Sequence, residues 1–179
     1  SFAVNAFNAG AAGMSYWGLH DVYYYINTQG GDNGGLMETG LIGYKQDGAW
    51  KYRPTYYAWG LLCNYIPFGS EIYRVTGETD DLVDCVAVKT PEGKYSIITV
   101  NRSDAEQTVK VNASFGENMN LYLFSESTLP TDNTNNMIAA TKAIAAKDGG
   151  YTVTVPAYSF TVLSNVDEVT LPVEGETTP

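Results

Sequence analysis

Between residues 82 and 163 the chain carries six short runs rich in β-branched and aromatic residues, at 82–88, 95–100, 108–111, 121–124, 151–155 and 159–163. Turn chemistry separates most of them: Pro91-Glu92-Gly93, Asn101-Arg102-Ser103-Asp104, Phe115-Gly116-Glu117-Asn118, Asp148-Gly149-Gly150 and Pro156-Ala157. Thr152, Val153, Thr154 and Val155 alternate polar and apolar, the signature of a half-buried antiparallel strand. Strands this short and this regularly spaced predict a mainly β fold, an antiparallel β-sandwich of Greek-key type about 100 residues long. One stretch inside it stays open. Residues 137–147 have helical composition yet run straight into the Gly149-Gly150 turn, so a helix and a second hairpin arm are both compatible with them.

Upstream of Pro67 and Gly69 the period is different. Phe2, Ala3, Ala6, Phe7 and Ala9 fall at helical spacing before Gly10, and Tyr57, Ala58, Leu61, Leu62 and Tyr65 do so after Pro54, which a first helical turn tolerates. Between these two helices, residues 14–19 form an apolar run bounded by Gly13 and the polar pair His20-Asp21, a pattern that suits a strand buried on both faces. Residues 27–35 are a Gly- and Asn-rich loop without hydrophobic period. Residues 172–179 are rich in Pro, Thr and Glu, as linkers are. The organisation predicted is therefore a helix-strand-helix unit over 1–66, the sandwich over 67–166 and a linker over 167–179. Because residues 1–12 resemble the end of a helix, the amino terminus is expected to be cut from something larger.

Charge narrows the partners. A net charge of -10 argues against nucleic acid, whose binding needs a basic footprint, and against anionic membrane surfaces. A neutral partner such as a glycan fits. There is no run of 18 apolar residues, the length a membrane-crossing helix needs. Cys63 lies in a helical pattern and Cys85 in a strand pattern, so both are expected as buried free thiols, although a disulfide between them remains open. A single His and two separated Cys give no metal-ligand spacing. The Gly30-Gly31 and Gly34-Gly35 pairs lack the strand-to-helix context and the Lys of a phosphate loop, so no cofactor is expected.

Three segments carry a family resemblance: Gly13-Met-Ser-Tyr-Trp17-Gly-Leu-His20-Asp21-Val-Tyr-Tyr-Tyr25, Gly40-Leu-Ile-Gly-Tyr44 and Arg53-Pro-Thr-Tyr-Tyr-Ala58. In this order they resemble the last strand, the following loop and the last helix of retaining (β/α)8 glycoside hydrolases of family 39 and its relatives. Residues 155–163, Val-Pro-Ala-Tyr-Ser-Phe-Thr-Val-Leu, are similar to the close of the β-domain that follows many such barrels. A full barrel needs roughly 250 residues, so the resemblance implies that residues 1–66 are only its terminal βα unit. It also implies that the catalytic glutamates, at the ends of the fourth and seventh strands, precede Ser1. No catalytic residue is therefore expected here, and the chain alone is not expected to cleave glycosides.

What the resemblance does transfer is a sugar site. Trp17 stands where these enzymes place the aromatic floor under the sugar, and a flat indole stacks well on the C–H face of a pyranose. Filling of the barrel interior is the alternative for the same residue. His20 and Asp21 follow at the carboxyl end of that strand, where barrel active sites lie, and each can equally serve as a hydrogen-bonded structural group. Tyr23, Tyr24 and Tyr25 cannot all point one way, so at most two line a cleft. The substrate-binding set predicted is Trp17, His20, Asp21 and Tyr23. Glu38 is either a cleft carboxylate or a solvated loop group. On the sandwich, Tyr73, Tyr95, Tyr122 and Tyr158 are the exposed-aromatic candidates, while all three Trp lie within the first 59 residues. Asn101-Arg-Ser103 and Asn112-Ala-Ser114 match the glycosylation acceptor pattern.

The function expected is thus the carboxyl-terminal ancillary segment of a secreted polysaccharide-degrading glycoside hydrolase, with carbohydrate and the remainder of the barrel as partners. The alternatives are a free-standing carbohydrate-binding module and a purely structural sandwich.

Overall fold

The central strands are apolar at consecutive positions because both faces of their sheet are covered. In the computed structural model, which describes residues 1–24, 35–43, 50–77, 81–113, 115, 118–131 and 136–168, the main sheet contains β5 (Glu71–Arg74), β6 (Val83–Lys89), β7 (Tyr95–Asn101), β9 (Met119–Phe124), β10 (Lys142–Ile144) and β12 (Ser159–Ser164). Their order is β10-β9-β12-β7-β6-β5, antiparallel throughout. Register aligns Val86, Ile98, Val162 and Tyr122 across the sheet, and one residue along it aligns Ala87, Ile97, Leu163 and Leu121. Since neighbours in a strand point to opposite faces, these two rows feed two different cores.

The second row faces a smaller layer, β8 (Gln107–Val111) paired with β11 (Tyr151–Val155). Ile97, Met119, Leu121, Leu163, Tyr151, Val153 and Val155 fill the space between the layers. The chain passes from β7 to this layer for β8, returns for β9, passes over again for β11, and inserts β12 between β7 and β9. That interleaving yields the sandwich which the spacing of the runs predicts. The alternation at 152–155 also holds, with Val153 and Val155 buried and Thr152 exposed.

The first row faces helices. α2 (Pro54–Tyr65) begins with an extended Arg53 followed by Pro54, as anticipated, and buries Tyr57, Leu61 and Tyr65 at a spacing of one turn. α1 (Phe2–Asn8) adds Val4 to the same cluster and gives way at Gly10, whose φ of +93° suits a residue without a Cβ. The helical third of the chain and the sandwich therefore share a core built on the outer face of the main sheet. Fully burying each Val or Leu of that core contributes about 1.5–3 kcal/mol of transfer free energy.

Several expectations are corrected. Residues 14–19 form no strand among the described residues. Instead an extended segment meets residues 41–42, where Leu41 and Ile42 donate to the carbonyls of Gly18 and Leu19 and Asp21 donates to Ile42. A strand is a paired state, and so short a neighbour supports only a His20–Ile42 bridge. Residues 137–147 adopt the hairpin alternative, with β10 pairing to β9. Both thiols are free, as preferred, but Cys63 is exposed because it lies off the Tyr57–Leu61–Tyr65 face of α2. β5 escapes the sequence reading since three of its four residues are exposed and polar or aromatic. The Gly-rich loop, apart from Gly35, and the linker from residue 169 onward lie outside the described residues.

Candidate functional site

Asp21 is the anchor of the site. Its side chain is fully buried, and Arg53 Nη1 and Nη2 donate to its two carboxylate oxygens at 2.7 and 2.8 Å. The backbone N–H of Gly40 donates to the same carboxylate at 3.0 Å, while Arg53 Nη1 also reaches the Gly40 carbonyl at 3.1 Å. A paired, two-toothed geometry of this kind is the strong form of an Arg–carboxylate contact. Gly40 is required by space: a Cβ there would collide with the backbone of His20 and Asp21. The clamp thus ties together three places distant in sequence, namely the end of the extended segment, the 39–41 turn and the residue that precedes α2.

Two short ladders extend from the clamp. β3 (Ile42–Gly43) pairs with β4 (Lys51–Tyr52), and β1 (Val22–Tyr24) pairs with β2 (Gly35–Met37). The first ladder delivers Trp50 beside His20, with ring centroids 5.4 Å apart and planes inclined by 53°. His20 is exposed, and its Nδ1 lies 2.7 Å from the carbonyl oxygen of Asp21. A carbonyl only accepts, so Nδ1 carries the proton. In the neutral ring Nε2 is then an acceptor, and among the described residues it has no hydrogen-bond partner.

Exposed aromatics occur in this part of the chain, as they also do at Phe68, Tyr73 and Tyr158. Trp17 is 84% exposed, Trp50 48% and Phe2 79%. Tyr16 is also exposed, its hydroxyl donating to the Thr39 carbonyl at 2.8 Å and its ring meeting Trp59 edge-on at 5.7 Å. A groove of about 420 Å³ lies between α1, residues 14–17 and α2, with Met14, Trp17, Trp59 and Leu62 among its walls.

Of the four residues predicted from sequence, Trp17 and His20 lie at the surface of one segment, whereas Asp21 lies beneath it and is committed to Arg53. Tyr23 is in β1 opposite Leu36. Glu38 is exposed. Sequence reasoning passed over Trp50 and Arg53. Arg53 carried no local signal for its role, because the carboxylate it meets lies 32 residues upstream. Among the described residues no group of three or more His, Cys, Asp and Glu could hold a metal ion.

On the sandwich, Tyr73 and Tyr158 are exposed as expected, but Tyr122 is only 1% exposed. It faces α2, with its ring 4.5 Å from that of Tyr65. Tyr95 is half-buried in a stack on Phe115 at 4.1 Å. Asn101 is corrected as a glycosylation acceptor. It is 1% exposed, and its amide donates to the carbonyls of Ala105, Val155 and Pro156, so it is a buried fastener at the β11–β12 corner.

Comparison with known proteins gives these features a context. The model of the glycosyl hydrolase family 30 β-sandwich domain matches residues 72–162. The fold is similar to that of a family 30 endoxylanase from Clostridium papyrosolvens C71, at 23% identity and a TM-score of 0.53 over 65% of this chain and 28% of that one. It is similar to a family 30 subfamily 8 xylanase from Clostridium acetobutylicum, at 19% identity and a TM-score of 0.54 over 70% and 30% of the two chains. An endo-β1,6-glucanase shares the fold over 92% of this chain and 29% of its own, at 18% identity and a TM-score of 0.57. The chain therefore spans less than a third of each of these structures. No curated protein matches it. The resemblance seen in the sequence to glycoside hydrolase carboxyl-terminal domains is supported, and the family shown is 30; family 39 in particular is not shown.

Proposed function

This chain belongs to the glycosyl hydrolase family 30 β-sandwich domain family, and from that premise we propose that it is the carboxyl-terminal ancillary portion of a secreted, polysaccharide-degrading glycoside hydrolase. In this reading residues 1–66 are the terminal βα unit of the barrel, residues 67–166 are the sandwich that braces it, and residues 167–179 lead on to a further module. The catalytic carboxylate pair belongs to the remainder of the barrel, a partner of this chain within the complete enzyme. The observation that carries the reading is the placement of Trp17, 84% exposed, on a segment fixed by the Asp21–Arg53 clamp beside a family 30 sandwich. Trp17, His20 and Tyr23 contribute to the sugar cleft, while Asp21 acts from beneath by holding the segment in place.

Trp17→Ala in the complete enzyme tests this. Removing a sugar platform lowers turnover or glycan affinity and leaves the melting temperature almost unchanged. Removing an interior filler costs roughly 3–5 kcal/mol of stability instead. A variant that melts early yet keeps normal activity below its transition would overturn the assignment.

One observation favours a second reading, a free-standing carbohydrate-binding module: the helices already share a core with the sheet inside this chain. Retention of the isolated chain on insoluble polysaccharide would favour the module. Retention only of the complete enzyme would favour the ancillary segment.

A further inference from the structure

We infer that Tyr158, at the corner between β11 and β12, is a carbohydrate contact on the sandwich itself, one that takes a stretch of uncharged polysaccharide outside the cleft. The inference rests on the proposed reading of the chain as part of a polysaccharide-degrading enzyme and adds a site which that reading does not use. The backbone carries the first argument. Tyr158 has a φ of +50°, in the left-handed region where a Cβ crowds the following carbonyl. Asp148, at +51°, is the other described non-glycine residue with a positive φ, and a short polar side chain tolerates it. A bulky tyrosine there is an outlier, and glycine or asparagine would fit the same corner with less strain.

Such a conformation persists only where its surroundings over-determine it. Here the Tyr158 N–H donates to the Ser103 carbonyl at 3.1 Å, and Ser159 Oγ donates to the Pro156 carbonyl at 2.7 Å. The buried Asn101 amide holds the Val155 and Pro156 carbonyls at 3.0 Å each. No hydrogen bond or ring contact of the side chain offsets the strain among the described residues, and Tyr158 is 72% exposed.

The ring lines a groove of about 300 Å³ with Val100, Arg102, Phe124 and Phe160. Phe124 and Phe160 are stacked at 4.8 Å with planes 20° apart, which makes this lining an ordered apolar surface. Arg102, the one charged side chain lining the groove, is already paired with Asp84 at 3.0 Å. An uncharged ligand with a flat apolar face fits such a lining, and a pyranose stacks its C–H face on an aromatic ring while its hydroxyls stay in water. The groove shares Val100 and Phe160 with the larger one that Trp17 lines, so the two aromatics border adjoining grooves, which favours a polymer over a single sugar.

Affinity electrophoresis of the complete enzyme through gels holding xylan or a β1,6-glucan, with melting curves, tests the inference. Tyr158→Asn keeps the left-handed backbone and removes the ring. It is expected to weaken retardation by up to about tenfold, the value of one aromatic stack, while the melting temperature stays level or rises by a few degrees. Tyr158→Phe keeps the ring and is expected to retain most of the retardation. Unchanged retardation in Tyr158→Asn overturns the inference. A marked fall in its melting temperature does so too, because the ring would then be packing on the remainder of the enzyme. Failure of both polymers to retard the unmodified enzyme has the same consequence. Trp17→Ala judges the underlying reading separately: weakened retardation there with none in Tyr158→Asn sinks only the inference, and the opposite pattern keeps the sandwich contact while removing the cleft assignment.

Discussion

Arg53→Ala is the most incisive change that the structure offers. It removes both guanidinium contacts to Asp21, at 2.7 and 2.8 Å, and the 3.1 Å contact to the Gly40 carbonyl, while leaving behind a carboxylate with 0% side-chain exposure. Deleting one partner of a buried ion pair costs about 3–5 kcal/mol because the remaining charge has lost its counter-charge. The Arg53 side chain is 25% exposed, so water can enter the vacated space, and the lower end, about 3 kcal/mol, is the expected loss. For a cooperative unit of this size that corresponds to a fall in melting temperature of roughly 6–12 °C. Arg53→Lys keeps a positive charge but cannot span both oxygens, so it is expected to recover only part of the loss. Urea unfolding of the two variants, together with Asp21→Ala and the double variant, completes a cycle, and a coupling energy of about 1–3 kcal/mol is expected. A loss below about 1 kcal/mol in Arg53→Ala, or equal losses in the Ala and Lys variants, would refute the idea that this clamp organises the segment.

Two further outcomes follow from packing. Leu61 is 0% exposed against the sheet, so Leu61→Ala is expected to cost about 2–5 kcal/mol; Leu62, half-buried along the grooves, should cost markedly less, and denaturant titration of the two reads the difference. Comparable losses at both sites would mean that α2 does not present the face assigned to it. In thiol labelling, exposed Cys63 is expected to react in the folded protein and Cys85 only on unfolding; burial pushes both thiols up from their ordinary pKa, and what separates them is that Cys85 is closed to the reagent. Recovery of two labelled thiols without reductant confirms that they are not joined.

The sandwich was legible in the sequence because period and turn chemistry are local. Residues 95–101 and 159–164 alternate between two faces whatever they meet, and Gly149-Gly150 or Pro156 marks a turn wherever it stands. α2 was legible from Pro54 and the one-turn spacing of Tyr57, Leu61 and Tyr65 for the same reason. The acidic charge argues against a nucleic-acid partner without reference to fold. Trp17 and His20 could be picked out as neighbours on one short segment.

Tertiary structure alone decided what each face would meet. That Tyr122 is buried depends on α2 lying across the sheet, a contact between residues 57 apart from Tyr65 to Tyr122 that no local pattern encodes. That Asn101 is a fastener depends on three carbonyls near the β11–β12 corner. Residues 14–19 have the composition of a buried strand, but a ladder needs a partner, and here only residues 41–42 lie alongside. The division within the His20-Asp21 pair is the clearest case. Both residues are polar and adjacent, and no local pattern separates them. Arg53 and Gly40, brought in from far along the chain, draw Asp21 inward and leave His20 facing solvent, because a carboxylate is buried only where a cation and an N–H meet it.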